Sequence, residues 1–204
     1  MPASKIASWL RIAGINGISA PIYTLTLILI AVASYPQFSW TDNALSDLGV
    51  VPGVTSSLFN LGLITSGVLF LLFATGLVVL LYNTVIGKAG AFLFTLACWA
   101  LLSIGLFPEN VEPSHYQFSV GFFSLLPISM LVIATAFLRT KQRRLAGFTL
   151  LTAVVAAAPW ALWFSVHYVP GVAIPEFVSA LAGAVWAIVL GYKMIMEASR
   201  AKAS

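Results

Sequence analysis

Six long apolar runs, separated by shorter polar stretches, dominate the pattern along the chain. Their approximate limits are 12–34, 58–82, 87–106, 116–138, 145–167 and 174–196. Each run reaches the roughly 20 residues that a helix needs to cross the hydrocarbon core of a bilayer. The runs lack the polar–apolar alternation of barrel strands, and a helix pairs its own backbone groups in lipid. The pattern predicts an all-α membrane protein in which residues 1–204 form a single bundle of six transmembrane helices.

Composition supports the membrane assignment and excludes several other classes. Only 8% of the 204 residues are charged and 60% are apolar, and the mean hydropathy is +1.01. Soluble domains carry roughly 25% charged residues. Six crossings use nearly the whole chain, which excludes a separate soluble domain, and nucleic acid is not an expected partner. The expected partner is the lipid bilayer, with oligomer or subunit partners left open.

Basic residues predict the orientation of the bundle. Lys and Arg that flank a span are retained on the cytoplasmic side. All ten fall on one side of the six-span arrangement: Lys5, Arg11, Lys88, Arg139, Lys141, Arg143, Arg144, Lys193, Arg200 and Lys202. We therefore expect a cell-membrane protein with both termini in the cytoplasm. Five of the six acidic residues lie on the other side, namely Asp42, Asp47, Glu109, Glu112 and Glu176.

The first apolar run has an alternative interpretation as a signal peptide. Lys5 and Arg11 precede it, and the small residues Ala31-Val32-Ala33 resemble a cleavage site. The run is longer than a usual signal core and contains Asn16 and Pro21, which favours a helix that stays in the bundle. Cleavage after Ala33 remains the alternative.

The connection between the first two spans is long and polar, and we expect it to fold over the outer mouth of the bundle. Thr41 or Asp42 is suited to cap a short helix that Gly49 ends in a left-handed conformation. Asp47 would then lie in the last turn of that helix, where an acid opposes the helix dipole. The sequence therefore predicts that Asp47 turns inward and pairs with His115.

Polar residues near the predicted outer boundary form a candidate pocket. Its members come from the first loop, from the second span and from the starts or ends of the later spans: Ser46, Asp47, Asn60, Glu109, His115, Trp163, His167 and Glu176. Two histidines and a carboxylate can bind a divalent metal, so His115, His167 and Asp47 are candidate ligands. Their spacing matches no recognised ligand motif, and the sequence requires no cofactor.

Three stretches carry a resemblance to a known family: YPQFSWTDNALSDLG, SSLFNLGLITSG and GLFPENVEPSHYQFSVGFFS. With them the chain resembles the six-span prokaryotic membrane family catalogued as domain of unknown function 998, over nearly its whole length. The matching positions are Tyr35-Pro36, Ser46, Leu48-Gly49, Phe59-Asn60, Gly62, Gly67, Gly105 to Pro108 and His115. The resemblance implies six helices and a prokaryotic source, and it implies no established activity.

Three classes of function remain open. The favoured hypothesis is a non-enzymatic multi-pass protein, either an accessory subunit or a binder of a lipid or small apolar molecule, with an outward-facing polar pocket. The first alternative is a membrane-embedded enzyme, metal-dependent in one form, that acts on a lipid or isoprenoid. The second is a small-solute transporter, which is disfavoured because no charged residue lies near the middle of any span.

Overall fold

The computed structural model of the protein describes residues 3–203. Six helices in this part of the chain are long and apolar enough to cross a membrane, and no strand is present in it. They are α1 Ala3–Ala33, α2 Val54–Leu80, α3 Val85–Leu106, α4 Ser114–Arg139, α5 Arg143–Val166 and α6 Ala173–Ala203. A short 3-10 helix, Ser46–Val50, lies between α1 and α2. The predicted all-α bundle of six spans is confirmed.

The first and last helices extend well beyond the apolar runs that predicted them. The first begins at Ala3 rather than near residue 12, and the last ends at Ala203 rather than near 196. Ala7 and Leu10, in the added turns of α1, are buried in the same core cluster as Ala198 of α6. Hydropathy marks only the length that lies in hydrocarbon, whereas the backbone hydrogen bonds of a helix continue into the polar interface.

The six helices form a closed ring. Each helix packs against the next one along the chain, and α1 packs against α6 to close the ring. This closure depends on two glycines: a Cβ atom on Gly14 would lie 2.6 Å from the carbonyl oxygen of Gly191, and one on Gly191 would lie 2.6 Å from that of Gly14. Because α1 is one wall of the ring, cleavage after Ala33 would remove that wall. Retention of α1 in the mature chain stays a prediction.

Two ends of the ring are distinguished by charge. We call the end formed by loops 34–53, 107–113 and 167–172 the acidic end, and the end formed by loops 81–84 and 140–142 the basic end. Phe73, Phe94 and Trp186 pack ring against ring inside the bundle, with centroids 5.2 to 6.0 Å apart. The Trp186 indole also donates to the Thr149 hydroxyl at 3.2 Å. These contacts close the interior toward the basic end.

The first loop covers the mouth of the ring at the acidic end, as predicted. Leu45 and Leu48 are buried there among residues of α1, α2 and α3. The backbone of the loop is bonded to the α5–α6 connection, where Gly171 donates to the Thr41 carbonyl at 2.7 Å. Val172 and Ala173 both donate to the Asn43 carbonyl, at 3.1 and 2.9 Å. We call residues 34–53 the roof.

The prediction of a helix within the roof is wrong about where the helix lies and about the residues that begin and end it. The 3-10 helix begins at Ser46, so Asp47 lies in its first turn, where the helix dipole favours an acid. Gly49 lies inside this helix, and a left-handed φ occurs among the described residues only at Gly53, Lys141 and His167. Asp42 does not cap the helix; its carboxylate accepts from Ser39 and Thr41 instead. Hydrogen bonds from these two hydroxyls, Ser39 first, lower the pKa of Asp42.

Candidate functional site

A cavity at the acidic end lies between α4 and α5, and we call it the lateral pocket. Its volume is about 420 Å³. One wall is aromatic, because Phe123 of α4 packs on Trp160 of α5 with ring centroids 4.9 Å apart. Tyr116 and Phe164 line the entrance and are 66% and 67% exposed on the outer face of the ring. The pocket is therefore reached from the side of the bundle, between two helices.

The floor of the lateral pocket is polar, and Glu176 is its most buried carboxyl group. This residue lies in the first turn of α6 and is 6% exposed. One carboxyl oxygen, Oε2, accepts a hydrogen bond from the Leu45 backbone amide at 2.6 Å. This bond holds the roof to α6, and the carboxyl group lies at the helix end where the dipole favours a negative charge. No hydrogen bond to the other oxygen, Oε1, occurs within residues 3–203, and Glu176 lines the pocket.

His115 is buried at the start of α4, and both nitrogens of its ring lie within hydrogen-bond distance of neighbouring residues. Its Nδ1 lies 2.8 Å from the Phe107 carbonyl oxygen, and since a carbonyl only accepts, Nδ1 carries the proton of this bond. Its Nε2 lies 3.3 Å from the Ser119 hydroxyl, one turn along α4. The imidazole thus ties the end of α3 to α4.

The predicted pair of Asp47 with His115 is wrong. Asp47 Oδ2 accepts from the Asn43 side-chain amide at 2.6 Å and from the Ala44 backbone amide at 3.0 Å. An acid that reaches back to an amide just before its own helix satisfies a donor that the helix leaves unpaired. The carboxylate is therefore stabilised within the roof and needs no cation from α4.

Glu109 lies against Asp47 at the rim of the lateral pocket. Burial, a hydrogen bond to Asp47 and the charges of Asp47 and Glu112, in that order, raise the pKa of Glu109 from 4.5 to about 7. The protonated form of Glu109 can donate to the Asp47 carboxylate, which removes the repulsion between two negative charges. The acidic rim thus changes its charge near neutral pH.

A second, narrower cavity lies inside the ring beneath the roof, and we call it the central chamber. Its volume is about 80 Å³. Apolar side chains of α1, α2, α3 and α4 form most of its surface, and Cys98 is among them. The chamber adjoins the lateral pocket, because four residues line both: Ser46, Ser119, Phe123 and Glu176. Phe123 is the bulky side chain at this boundary.

Two other predicted site residues, Asn60 and His167, do not line the lateral pocket, whereas Trp163 does. Asn60 donates to the Gly49 carbonyl at 2.9 Å, so it anchors the roof to α2, and its Oδ1 is buried without a partner. His167 caps α5 in a left-handed conformation and packs on the Trp163 ring at 5.0 Å. Trp163 itself lines the pocket.

The three predicted metal ligands are not brought together. Within residues 3–203 no three His, Cys, Asp or Glu side chains are grouped so that they could hold a metal ion. His115 and Asp47 are engaged in the separate bonds described above, and His167 lies exposed beyond the end of α5. The His115 imidazole and the Asp47 carboxylate thus each have a hydrogen-bond partner of their own.

The sequence-based candidates missed the aromatic wall. Phe123 and Trp160 belong to the pocket as much as Trp163 does, and Trp160 Nε1 is buried without a hydrogen-bond partner. Phe123 follows His115 by two steps of four residues, and Trp160 precedes Trp163 by three. Helical register therefore places each on the face of a predicted site residue. No local signal indicates that these two faces meet.

Comparison with known proteins identifies the family and nothing beyond it. The family model described as "Protein of unknown function (DUF998)" matches residues 18–193. The chain belongs to this family, as its motifs indicated. No curated protein and no solved structure shows significant similarity to it.

Proposed function

We propose that this DUF998 member is a binding protein that takes up a lipid or small amphiphile in the lateral pocket. The observation that carries the proposal is the pocket itself, an aromatic-walled cavity of about 420 Å³ with a polar floor, entered from the side of the bundle. Ligand sites of a few hundred Å³ are mostly apolar and hold a few oriented polar groups. An apolar tail would lie against Phe123 and Phe164, with the polar head at Glu176.

Access from the bilayer supports a membrane-borne ligand. Val120 lines the pocket and is 47% exposed on the outer face of the ring, beside Tyr116 and Phe164. In a six-span protein these exposed apolar side chains face lipid. A molecule already dissolved in the bilayer can therefore reach the pocket without crossing water.

The orientation of the pocket completes the proposal. The basic residues favour the basic end in the cytoplasm, so the acidic end and the lateral pocket would face the outer leaflet of the cell membrane. A binding role is favoured because the polar groups also hold structure. Glu176 holds the roof through Leu45, and His115 holds the end of α3 through Phe107.

The test compares a substitution that blocks the pocket entrance with the same substitution on an exposed surface elsewhere. Val120→Trp places an indole in the entrance, whereas Val185→Trp places one on the exposed face of α6, where Val185 is 44% exposed. Native mass spectrometry of protein purified in maltoside detergent should show a retained amphiphile on the wild type and on Val185→Trp. Val120→Trp should lose it. Equal retention by all three proteins would contradict the proposal.

One contact favours a second candidate, an enzyme that acts on a lipid ester. The Ser119 hydroxyl lies 3.3 Å from His115 Nε2, the arrangement in which a histidine can remove the proton of a nucleophile. A fluorophosphonate probe tests it directly. Covalent labelling of the wild type that disappears in Ser119→Ala and in His115→Gln would support the enzyme over the binding protein.

A further inference from the structure

The lateral pocket is lined by acids, and no Lys or Arg lies on its side of the bundle. No Lys or Arg occurs between residues 12 and 87, between 89 and 138, or between 145 and 192. The one ion pair in the described part of the chain joins Lys193 to Glu197, near the basic end. Glu109, Glu112 and Glu176 all line the pocket, together with His115, whose Nδ1 is bonded to the Phe107 carbonyl. The negative charges of these acids are therefore not balanced by any Lys or Arg of the protein.

Glu176 is the carboxyl group for which this imbalance matters most. A carboxylate that is 6% exposed is stabilised only by hydrogen bonds or by an opposite charge close to it. The Leu45 amide donates to Oε2, whereas Oε1 receives no hydrogen bond from residues 3–203, and Glu176 lines the pocket. A cationic group in the pocket would supply the missing partner.

The walls of the pocket suit a cation as well as an apolar tail. Trp160 lies 4.9 Å from Phe123 and 6.3 Å from Phe164 between ring centroids, and Trp163 lies 5.1 Å from Phe164. The faces of such rings attract ammonium groups, and Trp attracts them most strongly. An anionic head would instead lie beside Glu109, Glu112 and Glu176, and each ionised carboxylate among them would repel it.

From these observations we infer that the natural ligand is an amphiphile with an ammonium head, held between Glu176 and the Trp160 and Trp163 rings. The inference rests on the proposed function and names the head group of that ligand. Trp160 Nε1, which is buried without a partner, would donate to an oxygen next to the ammonium group. An amino alcohol or amino ester joined to an apolar tail has both features.

The test uses two probes of equal tail and similar shape. Dodecyltrimethylammonium carries a positive charge, whereas dodecyldimethylamine oxide is neutral overall at pH 8. Equilibrium binding of the radiolabelled probes to protein in maltoside detergent should be saturable for both, with the ammonium probe binding about tenfold more tightly. Glu176→Gln should remove this preference. Asp42→Asn, which changes an exposed acid outside the pocket lining, should keep it.

A second variant guards against loss of folding, because Glu176 also holds the roof. Glu112 is exposed, lines the pocket and makes no side-chain hydrogen bond among the described residues. Glu112→Gln should lower the preference about threefold without loss of stability. Equal binding of the two probes by the wild type would overturn the ammonium head while leaving the binding function in place. Absence of saturable binding of either probe would contradict both.

Discussion

Docking of the roof onto the α5–α6 connection depends on the absence of a side chain at Gly171. A Cβ atom there would lie 2.5 Å from the Asp42 carbonyl carbon and 2.7 Å from the Asn43 backbone nitrogen. Both atoms belong to backbone, so neither can turn aside as a flexible side chain would. We expect Gly171→Ala to push the roof away from the α5–α6 connection.

The expected cost follows from two contributions. Overpacking of a tight contact typically costs about 1–3 kcal/mol. The contact also includes backbone hydrogen bonds from Gly171 to Thr41 and from Val172 and Ala173 to Asn43, each worth about 0.5–1.5 kcal/mol. A partial loss of these bonds brings the total to about 2–4 kcal/mol, which for a chain of this size lowers the midpoint of unfolding on the order of 5–10 °C.

Gly147→Ala is the matched control, because a Cβ atom at Gly147 meets nothing within 4 Å. Alanine is also the better helix former at this position in α5. Thermal unfolding in detergent should show a lower midpoint for Gly171→Ala only. Limited digestion with chymotrypsin should then cleave the roof faster at its aromatic residues. If both variants unfold at the same temperature and resist digestion equally, the roof is not held in the way described.

Three further predictions concern charge and orientation. Because the pKa of Glu109 rises from 4.5 to about 7, the folded chain keeps a proton that the unfolded chain releases. The free energy of unfolding should therefore fall as pH rises through this interval, by roughly 1–2 kcal/mol after allowance for solvent screening; Glu109→Gln should flatten that slope in pH-dependent melting curves. Asp47→Asn and His115→Gln should lower the free energy of unfolding additively, since the two side chains do not pair. A double mutant that loses clearly less stability than the sum of the single mutants would show that Asp47 and His115 do interact. In a cysteine-free background, an impermeant thiol reagent should label a cysteine at Thr41 but not one at Lys88 on intact cells, and the reverse result would invert the orientation.

The apolar runs of the sequence determined the number of helices and which residues of each one cross the bilayer. A run of about 20 apolar residues without polar–apolar alternation satisfies its backbone in hydrocarbon by intrahelical hydrogen bonds. This holds for each run without regard to its neighbours. The length and polarity of the roof likewise predicted that it covers the mouth of the bundle, because a polar segment of that length is not stable against lipid. The helix within the roof was not predicted correctly, because a turn of four or five residues depends on what it packs against.

The tertiary structure decided which polar groups meet. Leu45 and Glu176 are 131 residues apart in the chain and form a hydrogen bond of 2.6 Å, and this contact exists only because α6 closes the ring on α1. Asp47 accepts hydrogen bonds from Asn43 and Ala44, within the roof. Burial of Leu45 and Leu48 holds this segment in place. The lateral pocket is the gap between α4 and α5. Its aromatic wall forms where one face of α4 packs opposite one face of α5. Helical register predicts each face by itself, but no local pattern encodes the packing that brings the two together.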